Sequence, residues 1–101
     1  MEELIQQLYT ASEGRKQCRI TLKGEPFPRL IHPYGVCTTS RNKIVLVCQQ
    51  VAGFTKAGRT AGFRNLDFQR VEEVEVLDNT FQPDASFNPE DTQYKEWVYH
   101  I

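Results

Sequence analysis

The chain has 101 residues, of which 40% are hydrophobic and 11% aromatic, enough for one globular domain with a small core. No apolar run approaches the roughly 18 residues that span a bilayer, and the first residues are acidic where a secretory signal is basic. We therefore expect neither a helical membrane protein nor a secretory precursor but a soluble, cytoplasmic protein.

The formal net charge of -1 hides an uneven distribution along the chain. Residues 1–71 contain 11 Lys or Arg and 5 Asp or Glu, whereas residues 72–101 contain 1 and 8. A basic body with an acidic tail is typical of a domain whose anion-facing surface is partly balanced by its own tail. The alternative is that the charges intermix once the chain is folded.

The N-terminal half predicts one helix and three strands. In EELIQQLYTASEG, apolar residues lie on one helical face, and Ser12 to Gly14 ends the helix. CRITLKGEPF alternates apolar and polar residues as a half-buried strand does. RLIHPYGVCTT continues in an extended path, where Pro33 indicates a sheet edge or a bend. KIVLVCQQVAGF is the most apolar segment and is expected to be the central strand.

The C-terminal half predicts a sharply bent sheet followed by a tail. TKAGRTAG is expected to be a basic hairpin loop. In FRNLDFQRVEEVEVL the apolar alternation breaks phase twice, which indicates a strand, a single turn and another strand. The fold class is therefore mainly β: a small SH3/Sm-like antiparallel barrel of about five strands with an N-terminal helix. Residues 1–81 are expected to form this unit, and residues 82–101 an acidic, aromatic-containing extension packed on it.

The order of these segments resembles the WYL domain, a bacterial ligand-sensing or nucleic-acid-binding module with an SH3/Sm-like barrel. The resemblance covers roughly residues 4–81 and rests on ITLKG, PRLIHPYGV and the Arg-x-Leu-x-Phe-x-Arg-Val segment that starts at Arg64. The strand that reads Trp-Tyr-Leu in the family reads Ile-Val-Leu here, at 44–46. The run CQQVAGFTKAGRTAGFRNLDF is more similar to short stand-alone members, which do not carry the helix-turn-helix of WYL transcription regulators.

Three arginines are the main candidate ligand residues. The resemblance implies that Arg29, Arg64 and Arg70 line a shared surface for an anionic ligand. Arginine suits a phosphate or carboxylate because its planar fork donates two parallel hydrogen bonds and stays charged. The structural alternative is a salt bridge from Arg70 to Glu72 or Glu73, or to the acidic tail.

Other residues are weaker candidates, each with a structural alternative. Loop residues Lys56 and Arg59 either contact phosphate or keep the loop soluble. Tyr34, Phe54 and Phe63 either stack on bases or belong to the core. Of Gln49 and Gln50, adjacent on a strand, one points inward or toward a sheet opening, and Gln49 is assigned to the ligand site.

Catalysis has no support in the sequence. The two histidines, His32 and His100, have no Asp or Cys at a spacing typical of a triad or a metal site, and no phosphate-binding loop occurs. We expect no enzyme activity, no cofactor and no metal. The predicted function is a non-enzymatic binding or regulatory module for a nucleotide-type small molecule or a single-stranded nucleic acid. The alternative is an interaction module that forms a homo-oligomer through sheet edges or its C-terminal tail, and a third hypothesis is that the tail covers the basic surface.

Overall fold

The computed structural model describes residues 1–55 and 62–101, which form one helix, six strands and a short 3-10 turn. The predicted basic loop, with Lys56 and Arg59, lies outside the described residues. The elements in chain order are α1 (Glu2–Glu13), β1 (Lys16–Leu22), β2 (Arg29–Thr39), β3 (Ile44–Gly53), β4 (Gly62–Asp67), the 3-10 turn (Phe68–Arg70), β5 (Val71–Thr80) and β6 (Tyr94–His100).

The six strands form one antiparallel sheet, so the mainly β class with a single N-terminal helix is confirmed. The strand order is β4-β3-β2-β1-β5, and β6 pairs with β2 beside this path. One edge of β2 serves two strands: its residues 29–31 pair with β1, and residues 35–39 pair with β6. In the described part of the chain β4 and β5 do not pair with each other, so closure of a barrel remains a prediction.

Strand β2 is interior, which corrects the expectation that Pro33 marks a sheet edge. It pairs with β3 along its whole length, and the register of that pairing shifts between Pro33 and Gly35. The missing N–H of proline is tolerated at such an irregularity because the ladder is already interrupted there. Pro33 therefore lies beside a register shift within an interior strand.

The predicted corner between two strands is confirmed. β4 ends at Asp67, whose carboxylate accepts a hydrogen bond from the backbone N–H of Gln69 at 3.0 Å and starts the 3-10 turn. Val71 then begins β5 opposite Leu22 of β1. This turn carries the chain from one end of the sheet order to the other.

Two apolar clusters lie on the two sides of the sheet. The first packs α1 against β1, β2, β3 and the corner, and includes Leu8, Ile20, Leu46 and Phe68. The second contains Tyr34 with residues of the C-terminal extension. The three cysteines are buried and free, and burial raises the pKa of Cys18 and of Cys48 to about 12.

Residues near the C-terminus pack against the rest of the sheet. Phe87 and Trp97 belong to the second cluster, and β6 pairs with β2 from Gly35 to Thr39. The acidic side chains of this region stay at the surface, where Asp84 accepts hydrogen bonds from the backbone N–H of Ser86. Within the described residues, no helix has the length and apolarity that crossing a membrane requires.

Candidate functional site

A pocket of about 590 Å³ lies along strand β4, which has a strand partner on one side only in the described part of the chain. The alternation of β4 gives the pocket two unlike walls. Arg64 and Leu66 are buried toward the first apolar cluster, whereas Phe63 packs against the second. The pocket therefore extends around the strand, from an arginine side to a side built with the C-terminal extension. Its described lining residues are Leu22, Arg29, Thr55, Phe63, Arg64, Asn65, Leu66, Asp67, Arg70, Gln93 and Tyr94.

Three arginines from separate segments meet at this pocket. Arg29 begins β2, Arg64 lies in the middle of β4, and Arg70 ends the 3-10 turn. Arg29 and Arg64 are buried, whereas the side chain of Arg70 is 37% exposed. Guanidinium groups held by rigid elements lose little conformational entropy when they bind an anion.

Arg29 is committed to partners within the protein. Its Nε and Nη2 donate to the two carboxylate oxygens of Glu25, at 2.9 and 2.6 Å, and Nη1 donates to Gln50 Oε1 at 3.0 Å. The hydrogen bonds to Glu25 raise the pKa of Arg29. The guanidinium group of Arg29 is already bound by a buried carboxylate. Arg29 therefore contributes to the pocket mainly through the shape of its side chain and through its electrostatic field.

Gln50 completes this buried network. Its amide nitrogen donates to the backbone oxygens of Ala52, at 3.3 Å, and Phe54, at 2.7 Å, so both ends of the side chain are bonded. The ring of Phe54 lies 5.8 Å below the Arg29 guanidinium carbon, in cation–π geometry. Phe54 therefore contacts an arginine of the network and is not placed as a free stacking platform.

Arg70 is held through its guanidinium group and is partly exposed to solvent. Its Nη2 donates to the backbone oxygen of Lys23 at 2.8 Å and lies 3.7 Å from Glu25 Oε2. The structural alternative for Arg70 named Glu72, Glu73 or the acidic tail as its partner, but the observed partner is Glu25. Glu25 was missed because it lies in a turn 45 residues away from Arg70 in the chain, with no periodic pattern to connect the two.

Arg64 is positioned by the pairing of β4 with β3, where it lies opposite Cys48. Its Nη1 donates to the backbone oxygen of Phe63 at 3.0 Å. Among the described residues, the charged side chains that line this wall besides Arg29 are Arg64, Arg70 and the half-buried Asp67. The wall is therefore suited to a group with negative charge.

Tyr34 and Gln49, the other two assigned ligand residues, do not line the pocket. Tyr34 is fully buried, and its hydroxyl accepts a hydrogen bond from the backbone N–H of Asp84 at 2.7 Å. The Gln49 amide lies 3.4 Å from an oxygen of the Asp84 carboxylate. Of the two adjacent glutamines, Gln50 is the one that points to the arginines. The structure thus brings together Arg29, Arg64 and Arg70 but not Tyr34 or Gln49.

The other wall of the pocket carries an amide pair that the sequence did not indicate. Asn65 Nδ2 donates to Gln93 Oε1 at 2.7 Å, which joins β4 to the residue before β6. Tyr94, next in the chain, lines the same wall and packs on Trp97 with ring centroids 4.8 Å apart. Asn65 and Gln93 are 28 residues apart, and both residue types are common in turns, so no local signal identifies the pair.

Among the described residues, the two histidines do not line the pocket. His32 stacks on Phe81 at 4.3 Å between centroids, and burial lowers its pKa. Within the described ranges no group of three or more His, Cys, Asp or Glu side chains is placed to hold a metal ion. Comparisons with protein families, with curated proteins and with solved structures found no match for this chain.

Proposed function

We propose that this protein is a non-enzymatic binding module whose pocket along β4 takes an anionic ligand, either a nucleotide-type small molecule or a single-stranded nucleic acid. The observation that supports this most is the convergence of Arg29, Arg64 and Arg70, from three separate segments, on one pocket. Proteins place arginine in such a cluster where a phosphate or carboxylate is bound through paired hydrogen bonds.

The three arginines have different roles, and this supports the proposal further. Arg29 and Glu25 form a buried scaffold, with side chains 7% and 2% exposed. Arg64 and Arg70 then contact the anionic ligand with positively charged side chains that are held in rigid positions. A site of this kind needs no movement of the backbone, because the ligand meets guanidinium groups that neighbouring carbonyl oxygens already orient.

We also propose a finer classification of the fold. We assign the helix and strands of residues 1–81 to an SH3/Sm-like barrel of WYL type, acting in the cytoplasm as a regulatory module. Residues 82–101 are the extension that packs on it. Ligand sensing here does not use the Trp-Tyr pair of WYL proteins, because Ile44 and Val45 occupy those positions.

The size of the charge favours a small ligand over a duplex. Tight non-specific binding of duplex DNA needs many phosphate contacts on a strongly positive face, and the chain has a net charge of -1. Two arginines beside one pocket match one or two phosphate groups instead.

The proposal is tested by Arg64→Ala and Arg70→Ala, with affinity for nucleotides measured by calorimetry. Each substitution should weaken binding by more than about ten-fold, because a hydrogen bond to a charged group contributes about 1.5–3 kcal/mol. Arg19→Ala is the matched control: Arg19 is exposed on β1 and pairs with Glu75 at 2.7 Å. Unchanged affinity in both pocket variants, with folding intact by circular dichroism, would reject the site.

Assembly through a sheet edge is the second candidate function. β6 pairs with β2 of its own chain, and on its other side no described residue forms a strand partner. Val98 on this strand is 54% exposed, whereas Lys95 and Glu96 add charge that opposes edge pairing. A stable dimer by light scattering that Val98→Lys dissociates would favour assembly, and a monomer at all concentrations would remove it.

A further inference from the structure

The pocket has a second polar wall that an arginine site for a simple anion does not need. Opposite the arginine side of β4, the side chains of Asn65 and Gln93 are joined by one hydrogen bond of 2.7 Å. That bond uses one donor of Asn65 and the acceptor oxygen of Gln93. The Asn65 oxygen and the Gln93 amide N–H groups remain, and both residues are exposed to solvent.

An acceptor next to a donor matches the edge of a nucleobase. Every base carries a hydrogen-bond donor beside an acceptor on at least one edge, for example the exocyclic amine and ring nitrogen of adenine or cytosine. A bound phosphate or sulfate offers no donor of this kind. The amide pair therefore selects for a planar polar group and not for charge.

The two walls are separated by one strand. Arg64 and Asn65 are consecutive residues, and their side chains leave β4 on opposite faces. A ligand that contacts both must lie across the side of β4 on which no described strand pairs, with its charged end on the arginine side and its planar end beside Gln93. A nucleoside monophosphate has these two ends, separated by a ribose.

The volume of the pocket sets the length of the ligand. About 590 Å³ is in the range of sites for a single small molecule and holds one nucleotide with water. Tyr94 and Phe63 line the amide side and supply apolar surface for the face of a base. A longer strand would need further phosphate and base contacts outside this pocket.

From these features we infer that the pocket binds one nucleotide through both of its ends. The phosphate lies at Arg64 and Arg70, and the edge of the base lies at the Asn65–Gln93 pair. This inference rests on the proposed anion site and deepens it. It names a mononucleotide as the ligand class and gives Gln93 a role in specificity that a site for phosphate alone would not require.

The test compares calorimetric affinities of the full chain for the four nucleoside 5′-monophosphates and for ribose 5-phosphate. At least one nucleotide should bind about ten-fold or more tightly than ribose 5-phosphate, because the base adds hydrogen bonds and stacking. Gln93→Met removes the amide but keeps the length and neutrality of the side chain, so it should reduce that nucleotide to the affinity of ribose 5-phosphate. Gln7→Met, on the exposed face of α1, is the matched control and should change neither affinity.

The outcomes separate the inference from the proposal beneath it. Equal binding of nucleotides and ribose 5-phosphate by the unaltered chain would overturn base reading and leave the anion site standing. A base preference that Gln93→Met does not change would also overturn the inference. An oligonucleotide of ten residues that binds more than about a hundred-fold tighter than every mononucleotide would overturn the single-nucleotide class, since contacts per nucleotide would then accumulate. Binding of none of these ligands would overturn the anion site itself.

Discussion

Glu25 holds Arg29 with both oxygens of its carboxylate, at 2.9 Å from Nε and 2.6 Å from Nη2, and both side chains are almost completely buried. This pair has no helix to maintain it, although the residues are four positions apart. It fixes the turn before β2 to the start of that strand and leaves Arg70, 3.7 Å from the same carboxylate, next to the pocket. The Glu25–Arg29 pair therefore stabilises the positions of the residues that form the candidate site.

We expect Glu25→Gln to destabilise the fold by about 3 kcal/mol, because removing one member of a buried ion pair leaves the other charge without compensation. Urea unfolding followed by fluorescence measures the loss. Glu75→Gln is the control, since its ion pair with Arg19 is exposed and should contribute no more than about 1 kcal/mol. Equal losses in the two variants would contradict a structural role for the buried pair.

The same Glu25→Gln substitution should strengthen anion binding in the fraction that is folded. The carboxylate neutralises Arg29 and lies near Arg70, so its removal increases the positive field in the pocket. We expect a gain of a few-fold in nucleotide affinity at low salt, reduced at high salt by screening. Weaker binding at low salt would indicate instead that Glu25 is needed to position the arginines.

Gly35→Ala should detach β6 from β2. A Cβ atom at this position would lie 2.5 Å from the backbone oxygen of Tyr99 and 2.7 Å from the Trp97 ring. The backbone oxygen is part of the strand pairing and cannot move alone, so we expect a loss of about 1–3 kcal/mol. Faster hydrogen exchange of the β6 amides should accompany it. Gly14→Ala, where the nearest side-chain atom is 3.4 Å away, should have a much smaller effect.

Stability should fall as the pH drops through the range in which an unfolded histidine gains its proton. Burial lowers the pKa of His32 in the folded protein, where it stacks on Phe81, so the unfolded chain takes up this proton first. The contribution is complete above about pH 6.5 and is lost below it, toward the folded pKa. Comparing the free energy of unfolding at pH 7.5 and 5.5 should show the fall, and His32→Gln should reduce it. His100→Gln, at an exposed position, should not; an equal fall in both variants would contradict the assignment.

Much of the fold follows from local patterns. The helix at Glu2–Glu13 and the corner at Phe68–Arg70 were predicted because amphipathic periodicity and two phase breaks are visible within about 15 residues. The expectation that Pro33 marks a sheet edge was wrong. A proline in a sequence does not show whether the strand lies at the edge of a sheet or whether only its pairing register is shifted. A register shift allowed it to lie in an interior strand.

The candidate site was predictable only in part. Arginine composition and family resemblance pointed to Arg29, Arg64 and Arg70, but strand alternation could not decide between Gln49 and Gln50. The choice depends on which face of β3 meets the arginines, and that is set by long-range pairing, in which Arg64 lies opposite Cys48. Long-range contacts such as Asn65 with Gln93 depend on how the C-terminal extension packs, and the sequence carries no local signal for that.

The central claim is that the arginines along β4 bind an anionic ligand. Fluorescence anisotropy of labelled single-stranded oligonucleotides, measured across a salt series with mononucleotides as competitors, tests it most directly. We expect binding that weakens as salt rises and that a single nucleotide displaces, because the contacts are ionic and confined to one pocket. Absence of binding at low salt by the folded protein, for oligonucleotide and mononucleotide alike, would contradict the account and make assembly the leading explanation of its surface.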